Sequence, residues 1–167
     1  MRIAISLIAA AFALTSCSSA GNTAAAPPGA TPTTTPAAAS EPRTEAAVRP
    51  AATEEFDSYS SGDYGGAWDL YYAAAKRAIS RADYLRAHKL CPDAGAGIRF
   101  EIEKVRMDSD HEAHVRVTRA IVVLTYRFVY EAGHWRYVPT DEAMHDFRTK
   151  TVEKMVSDLK QKGGCSG

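Results

Sequence analysis

The chain has few cysteines, no net charge and no long apolar run, and each shortage excludes something. Three cysteines in 167 residues, none in a CxxC pair, leave no cysteine-rich metal site. Lys plus Arg number 20 and Asp plus Glu number 20. Residues 51–167 keep that balance, with 17 basic against 18 acidic residues. No one-signed field exists to attract nucleic acid. The apolar run from Ile3 to Leu14 rises only about 18 Å as a helix, short of the ~30 Å hydrocarbon core. It is too short for a retained span. Residues 18–50 contain no aromatic residue and no Ile, Leu or Met, while Ala, Pro, Thr, Ser and Gly fill 27 of the 33 positions. Such a segment buries too little apolar surface to offset its ordering entropy. The remainder, near 117 residues, is enough for one small domain.

Arg2, the short apolar run and Leu14-Thr15-Ser16-Cys17 together resemble the signal peptide and lipobox of bacterial lipoproteins. The resemblance implies that residues 1–16 are removed and that Cys17 carries a diacylglycerol, whose two acyl chains include ones such as palmitate. Two chains at ~0.8 kcal/mol per buried CH₂ give stable anchoring. The cell membrane, on its extracytoplasmic face, is then the expected location. From Cys17 to Pro50 the chain reads as a lipidated cysteine and a disordered Ala/Pro/Thr-rich tether, with six of the eight prolines.

Residues 51–167 read as an α+β domain. A helix opens near Thr53 with Phe56 and Tyr59 on one face, and Ser61-Gly62-Asp63 breaks it. Asp63 is a good N-cap for a second helix carrying Tyr64, Ala67, Trp68, Tyr71 and Ala75 on one stripe. Gly65 and Gly66 cost that helix roughly 1 kcal/mol each and permit close backbone approach. Ser80 and Asp83 cap a third, with Tyr84, Ala87, His88 and Cys91 inward and Pro92 at its end. From Ile98 the apolar period becomes two. Met107–Asp110 is a turn, and the phase slip near Arg119–Ile121 demands a bulge, bend or tight turn. Glu131–His134 is a hairpin leading to Trp135 and Tyr137. A last helix spans 140–162, its stripe being Met144, Phe147, Thr151, Met155 and Leu159.

Three helices followed by about four strands of antiparallel meander place the helices on one sheet face. The Phe56–Trp68 helix break, Tyr84, and Tyr126–Phe128 leading into Glu131, Gly133, Trp135 and Tyr137 resemble the nuclear transport factor 2-like superfamily over residues 52–140. Within that superfamily the chain resembles the lipid-anchored or membrane-tethered domains of unassigned function in actinobacteria. The resemblance implies a cone-like sheet whose interior binds apolar ligands, with the 140–162 helix an addition to the core. Tyr64, Trp68, Tyr84, His88, Tyr126 and Phe128 are the expected pocket lining.

Outside the cytoplasm, Cys91 and Cys165 are expected to form a disulfide. His88 is the best base on offer, but Asp83 lies about 140° away around the helix. Glu101 and Glu103 alternate away from Phe100 and Ile102. His114, Arg116 and Arg119 read as one solvated sheet face, and His111, His134 and His145 as exposed. No catalytic residue, metal or cofactor is expected, and the domain reads as no enzyme. Its expected role is a tethered extracytoplasmic binding or interaction module, with the membrane and a small molecule or envelope protein as partners. An accessory subunit of an envelope complex is the alternative, and a dehydratase or isomerase a further one.

Cys17→Ala should leave an unprocessed, unacylated precursor, read by mass spectrometry of the membrane fraction. Mature protein still carrying lipid would refute the lipobox reading.

Overall fold

The computed structural model describes residues 39–166. The expected signal peptide, Cys17 with its lipobox, and the tether up to residue 38 lie outside the described residues. Ten elements follow: α1 (Glu45–Ser61), α2 (Tyr64–Asp69), α3 (Ala73–Ala78), α4 (Arg81–Leu90), β1 (Phe100–Met107), β2 (Glu112–Arg119), β3 (Val122–Glu131), β4 (His134–Val138), α5 (Asp141–Thr149) and α6 (Val152–Gln161). The four strands form one antiparallel sheet in the order β1-β2-β3-β4. Among the described residues no helix is long and apolar enough to cross a membrane.

The phase slip after Arg119 is a two-residue turn. Ala120 takes a left-handed φ of 53°, Ile121 points into solvent at 96% exposure, and Arg119 pairs with Val122. The β3–β4 turn puts Ala132 and Gly133 at φ 51° and 88°, two consecutive positive values that tighten a hairpin in register with the strand twist. Alternation then sorts the sheet faces. Val115, Val117, Phe128 and Trp135 are buried on one face. Glu103, Arg116 and Thr118 bond one another on the other, solvated face. A bulge between Ile102 and Lys104 restores Val105 to the inner side.

The first helix begins at Glu45, eight residues before the expected start, so the tether boundary at residue 50 is too late. Composition alone hides the reason. Glu41 docks on the β3–β4 hairpin: its N–H donates to Gly133 O at 2.8 Å, and its carbonyl accepts from Tyr130 Oη at 2.6 Å. Its Oε2 accepts from Trp135 N at 2.9 Å, and Trp135 Nε1 donates to Pro42 O at 3.1 Å. These bonds order residues 40–43 without any apolar burial of their own. Pro50 sits inside α1, on its exposed side, while Val48, Ala52 and Phe56 face the sheet.

The second expected helix is two. Asp63 caps α2 through Gly66 N at 2.9 Å, and a Cβ at Gly66 would collide with that carboxylate. After Asp69 the chain leaves the helix, because Leu70–Tyr72 pair with the free edge of β4: Tyr72 N donates to Tyr137 O and Tyr137 N to Leu70 O, both at 3.0 Å. Four helices therefore precede the sheet, not three. Only α1 lays an apolar stripe along the sheet core; α3, α4, α5 and α6 share a second cluster around Tyr71, Tyr84, Met144 and Met155.

The C-terminal helix is also two. Thr151, expected in the buried stripe, is exposed and caps α6 through Lys154 N at 3.3 Å. Leu159 is 44% exposed, whereas Met144 and Met155 are buried as expected. Lys150 bridges the break, 2.8 Å from Asp146 and 2.9 Å from Asp158. Beyond α6 the tail folds back on the loop after α4. Cys91 and Cys165 form a disulfide with Cα atoms 4.9 Å apart. Ser166 N donates to Pro92 O at 2.9 Å and Ala94 N to Gly164 O at 3.2 Å.

Thiol titration of the unfolded, unreduced protein should find neither of these cysteines free. Cys165→Ser should cost ~4 kcal/mol of stability in denaturant melts, given the long loop the bond closes.

Candidate functional site

A cavity of about 420 Å³ lies between α1, α4, the sheet's inner face and the α5–α6 pair. Aromatic rings wall it. Phe56 stacks on Phe100 at 4.9 Å and meets Tyr126 at 5.2 Å. Tyr71 and Tyr137 approach at 5.3 Å, and Tyr84 meets Phe147 at 6.3 Å. Burial pushes the hydroxyls of Tyr59, Tyr71, Tyr84 and Tyr137 above the ordinary phenol range, so all four stay protonated. The disulfide belongs to the wall too, since Cys91 and Gly164 line it.

The polar groups inside are few. His88, on the inner face of α4, is sandwiched by rings: stacked on Tyr64 at 3.8 Å, edge-on to Tyr84 at 4.6 Å and to Tyr59 at 5.7 Å. Burial lowers its pKa to about 4, against a small opposing pull from Asp93. Glu55, on α1, is 2% exposed and lines the same cavity. Its Oε2 has no hydrogen-bond partner among the described residues. Burial first, and the Glu54 charge second, raise its pKa well above the carboxylate norm. At one side Arg119 and Asp93 pair at 2.6 Å, and the guanidinium also donates to Gly95 O at 2.6 Å and covers the Phe100 ring at 4.6 Å.

Of the expected lining, Tyr84, His88 and Tyr126 reach the cavity. Tyr64 does not line it but supports His88 from behind. Trp68 is turned to Ile79 O, to which its Nε1 donates at 3.1 Å, with Lys76 over its ring. Phe128 is core, 1% exposed and packed edge-on to Phe56. Arg119 leaves the solvated face on which it was grouped with His114 and Arg116. Its odd position in β2 turns it inward with Val115 and Val117, where Asp93 neutralises it. Asp83 caps α4 with Ser80, as its place in the sequence implies.

Glu55 escaped the sequence reading, although a signal exists. Val48, Ala52, Glu55, Phe56 and Tyr59 fall at i, i+4, i+7, i+8 and i+11, so a carboxylate sits on an apolar stripe. The Ala/Pro-rich run-in concealed the first half of that stripe. Carboxylates reach the His88 cavity from outside the strands: Glu55 on α1 and Asp93 after α4 both line it.

A second grouping lies on the β1–β2 hairpin, where donor atoms of Asp108, Glu112 and His114 all fall within 4.8 Å. His114 Nδ1 is 2.5 Å from Asp108 Oδ2, Arg106 is 2.5 Å from Asp108 Oδ1, and Arg127 is 3.9 Å from Glu112. The arginines already supply the positive charge that a cation would bring. His134 contacts Glu41 and His111 contacts Asp110, each at 3.1 Å.

No protein-family model and no curated protein matches this chain.

Buried Glu55 and half-buried His88 tilt stability in opposite directions with pH. Glu55 has a raised folded pKa, so it is protonated in the native state where the unfolded chain has ionised. Its stabilisation is complete below 4.5 and is lost as pH rises. His88 has a lowered pKa, so its stabilisation is complete above 6.5 and is lost as pH falls through about 4. Glu55→Gln should therefore flatten the loss at high pH and His88→Gln the loss at low pH, both read in denaturant melts. Glu55→Leu should raise neutral-pH stability by about 1–3 kcal/mol, because it removes an unpartnered buried polar group.

Proposed function

We propose that this protein is a lipid-anchored, extracytoplasmic binding module of the nuclear transport factor 2-like kind, holding a largely apolar small molecule in the cavity. The observation that carries the reading is the cavity itself: about 420 Å³, within the range of small-molecule sites, with aromatic walls and few convergent polar groups. A pocket filled by its own side chains would have argued against a ligand. The helices over one face of an antiparallel sheet, with the cavity between them, support the cone-like arrangement that the resemblance implies. The Cys17 anchor and its tether supply the location, holding the domain off the membrane surface.

Protonation favours binding over chemistry. A general base works best with a pKa near the working pH, and an imidazole near 4 is a weak base at neutrality. One observation favours a second reading, a dehydratase or isomerase: Glu55 and His88 share the cavity. Turnover of a bound ligand that His88→Gln abolishes without weakening binding would support that reading. The accessory-subunit alternative gains little from the outer sheet face, where Glu103, Arg116, Glu112 and Arg127 form ion pairs.

The test uses residues 18–167, which carry neither the apolar signal segment nor the acylated cysteine and so need no detergent, with the disulfide oxidised. Pyrene should bind at one molecule per chain, read by its fluorescence. Ala87→Phe, which fills the cavity from α4, should weaken binding at least ~10-fold while the far-ultraviolet spectrum is kept. Wild-type protein that takes up no pyrene would refute the reading.

A further inference from the structure

Glu55 is costly where it stands. A buried carboxyl without a partner destabilises the fold relative to a paired one. Buried polar atoms in native proteins are otherwise almost always paired, so an orphan calls for an explanation. Its neighbours do not supply one. The Tyr71 hydroxyl, which lines the same cavity, gives its proton to Tyr84 Oη at 2.9 Å. The only side-chain cation lining the cavity among the described residues, Arg119, is held by Asp93 and two backbone carbonyls. Packing does not require a glutamate either. Ala52 and Phe56 occupy the same stripe of α1, and an apolar residue of similar length would continue it. The carboxyl therefore stands at the inner wall of a space large enough for a ligand, and its Oε2 has no hydrogen-bond partner among the described residues.

We propose that Glu55 is the polar anchor of the cavity, its carboxyl donating a hydrogen bond to a carbonyl or hydroxyl oxygen of an uncharged, otherwise apolar ligand. This rests on the binding reading above and adds the ligand's chemical class. An anionic ligand is disfavoured, since Glu55 and Asp93 line the space and the one lining arginine is neutralised. A cationic ligand would meet a carboxyl held toward its neutral form by burial. What remains is a neutral molecule of about twenty non-hydrogen atoms at interior packing density, with an oxygen acceptor at one end. A carboxylic acid kept neutral by an apolar site is a strong donor to such an oxygen. The aromatic walls hold the rest.

Two probes of similar size separate the anchor from the cavity. Prodan is a neutral naphthalene with a carbonyl acceptor, and its emission shifts when that oxygen is hydrogen-bonded; pyrene has no acceptor. Both are titrated into residues 18–167, oxidised, with the wild-type sequence, Glu55→Gln and Glu55→Leu. Glu55→Leu should weaken prodan at least ~10-fold and blue-shift its bound emission, while pyrene changes by less than ~3-fold. Glu55→Gln, whose amide still donates, should keep prodan within ~3-fold of wild type. Equal prodan affinity in wild type and Glu55→Leu, with pyrene bound by both, overturns the anchor and leaves the binding reading standing. Equal loss in the Leu and Gln variants overturns the donor role, since the Gln amide keeps both a donor and the shape of the side chain. Failure of both probes to bind wild type overturns the binding reading itself, and the anchor with it.

Discussion

Phe56 lying on the sheet is the contact on which the rest depends. It stacks on Phe100 at 4.9 Å and touches Tyr126 and Phe128 at 5.2 and 6.0 Å, so one side chain joins α1 to two strands. An antiparallel sheet with one apolar face needs a cover, and α1 supplies it with Val48, Ala52 and Phe56. That placement also determines where the adjacent residue goes. Once Phe56 faces the sheet, Glu55, one helical step away, must enter the space between α1 and the remaining helices. The core contact and the orphan carboxyl are two consequences of one helix orientation.

The other helices close that space from the far side, and covalent chemistry holds them there. Short helices of six to ten residues have little stability of their own. They are held by tertiary contacts: Tyr71 and Tyr72 against β4, Tyr84 against Tyr71, and the Cys91–Cys165 bond that ties the tail to the end of α4. Because Cys91 and Gly164 line the cavity, the disulfide shapes the site as well as stabilising the fold. The C-terminal pair α5–α6 contributes Ala143, Phe147 and Met155 to the same wall. It is a structural part of the pocket, not an appendage.

The cavity sets stability against function. His88 and Glu55 are both titratable groups taken out of water, and each destabilises the fold across part of the pH range. A domain selected for stability alone would place leucine or phenylalanine at both positions. The ring sandwich around His88 shows how such a group is tolerated: Tyr64, Tyr59 and Tyr84 offer face and edge contacts to a neutral imidazole. Glu55 has no equivalent accommodation among the described residues, where its Oε2 makes no hydrogen bond.

Local chemistry was legible in the sequence. The Asp63 and Ser80 caps, the period-two strands, the turn after Arg119, the Glu131–His134 hairpin and the Cys91–Cys165 pairing all rest on neighbours in sequence or on simple pairing of types. Where a long-range bond competes with local preference, that legibility ends. Residues 40–50 look too polar and proline-rich to order, and Trp135 and Gly133 order them by hydrogen bonds. The stripe of residues 64–75 looks like one helix, and Tyr137 pulls its middle into a sheet edge. Residues 140–162 look like one helix, and Thr151 starts a new one. By itself the sequence determined the element types and which faces are apolar, because those follow from side-chain period and cap chemistry. Only the tertiary structure decided that Glu55, His88 and the Asp93–Arg119 pair meet in one cavity, because their convergence depends on how α1, α4 and β2 are turned against one another.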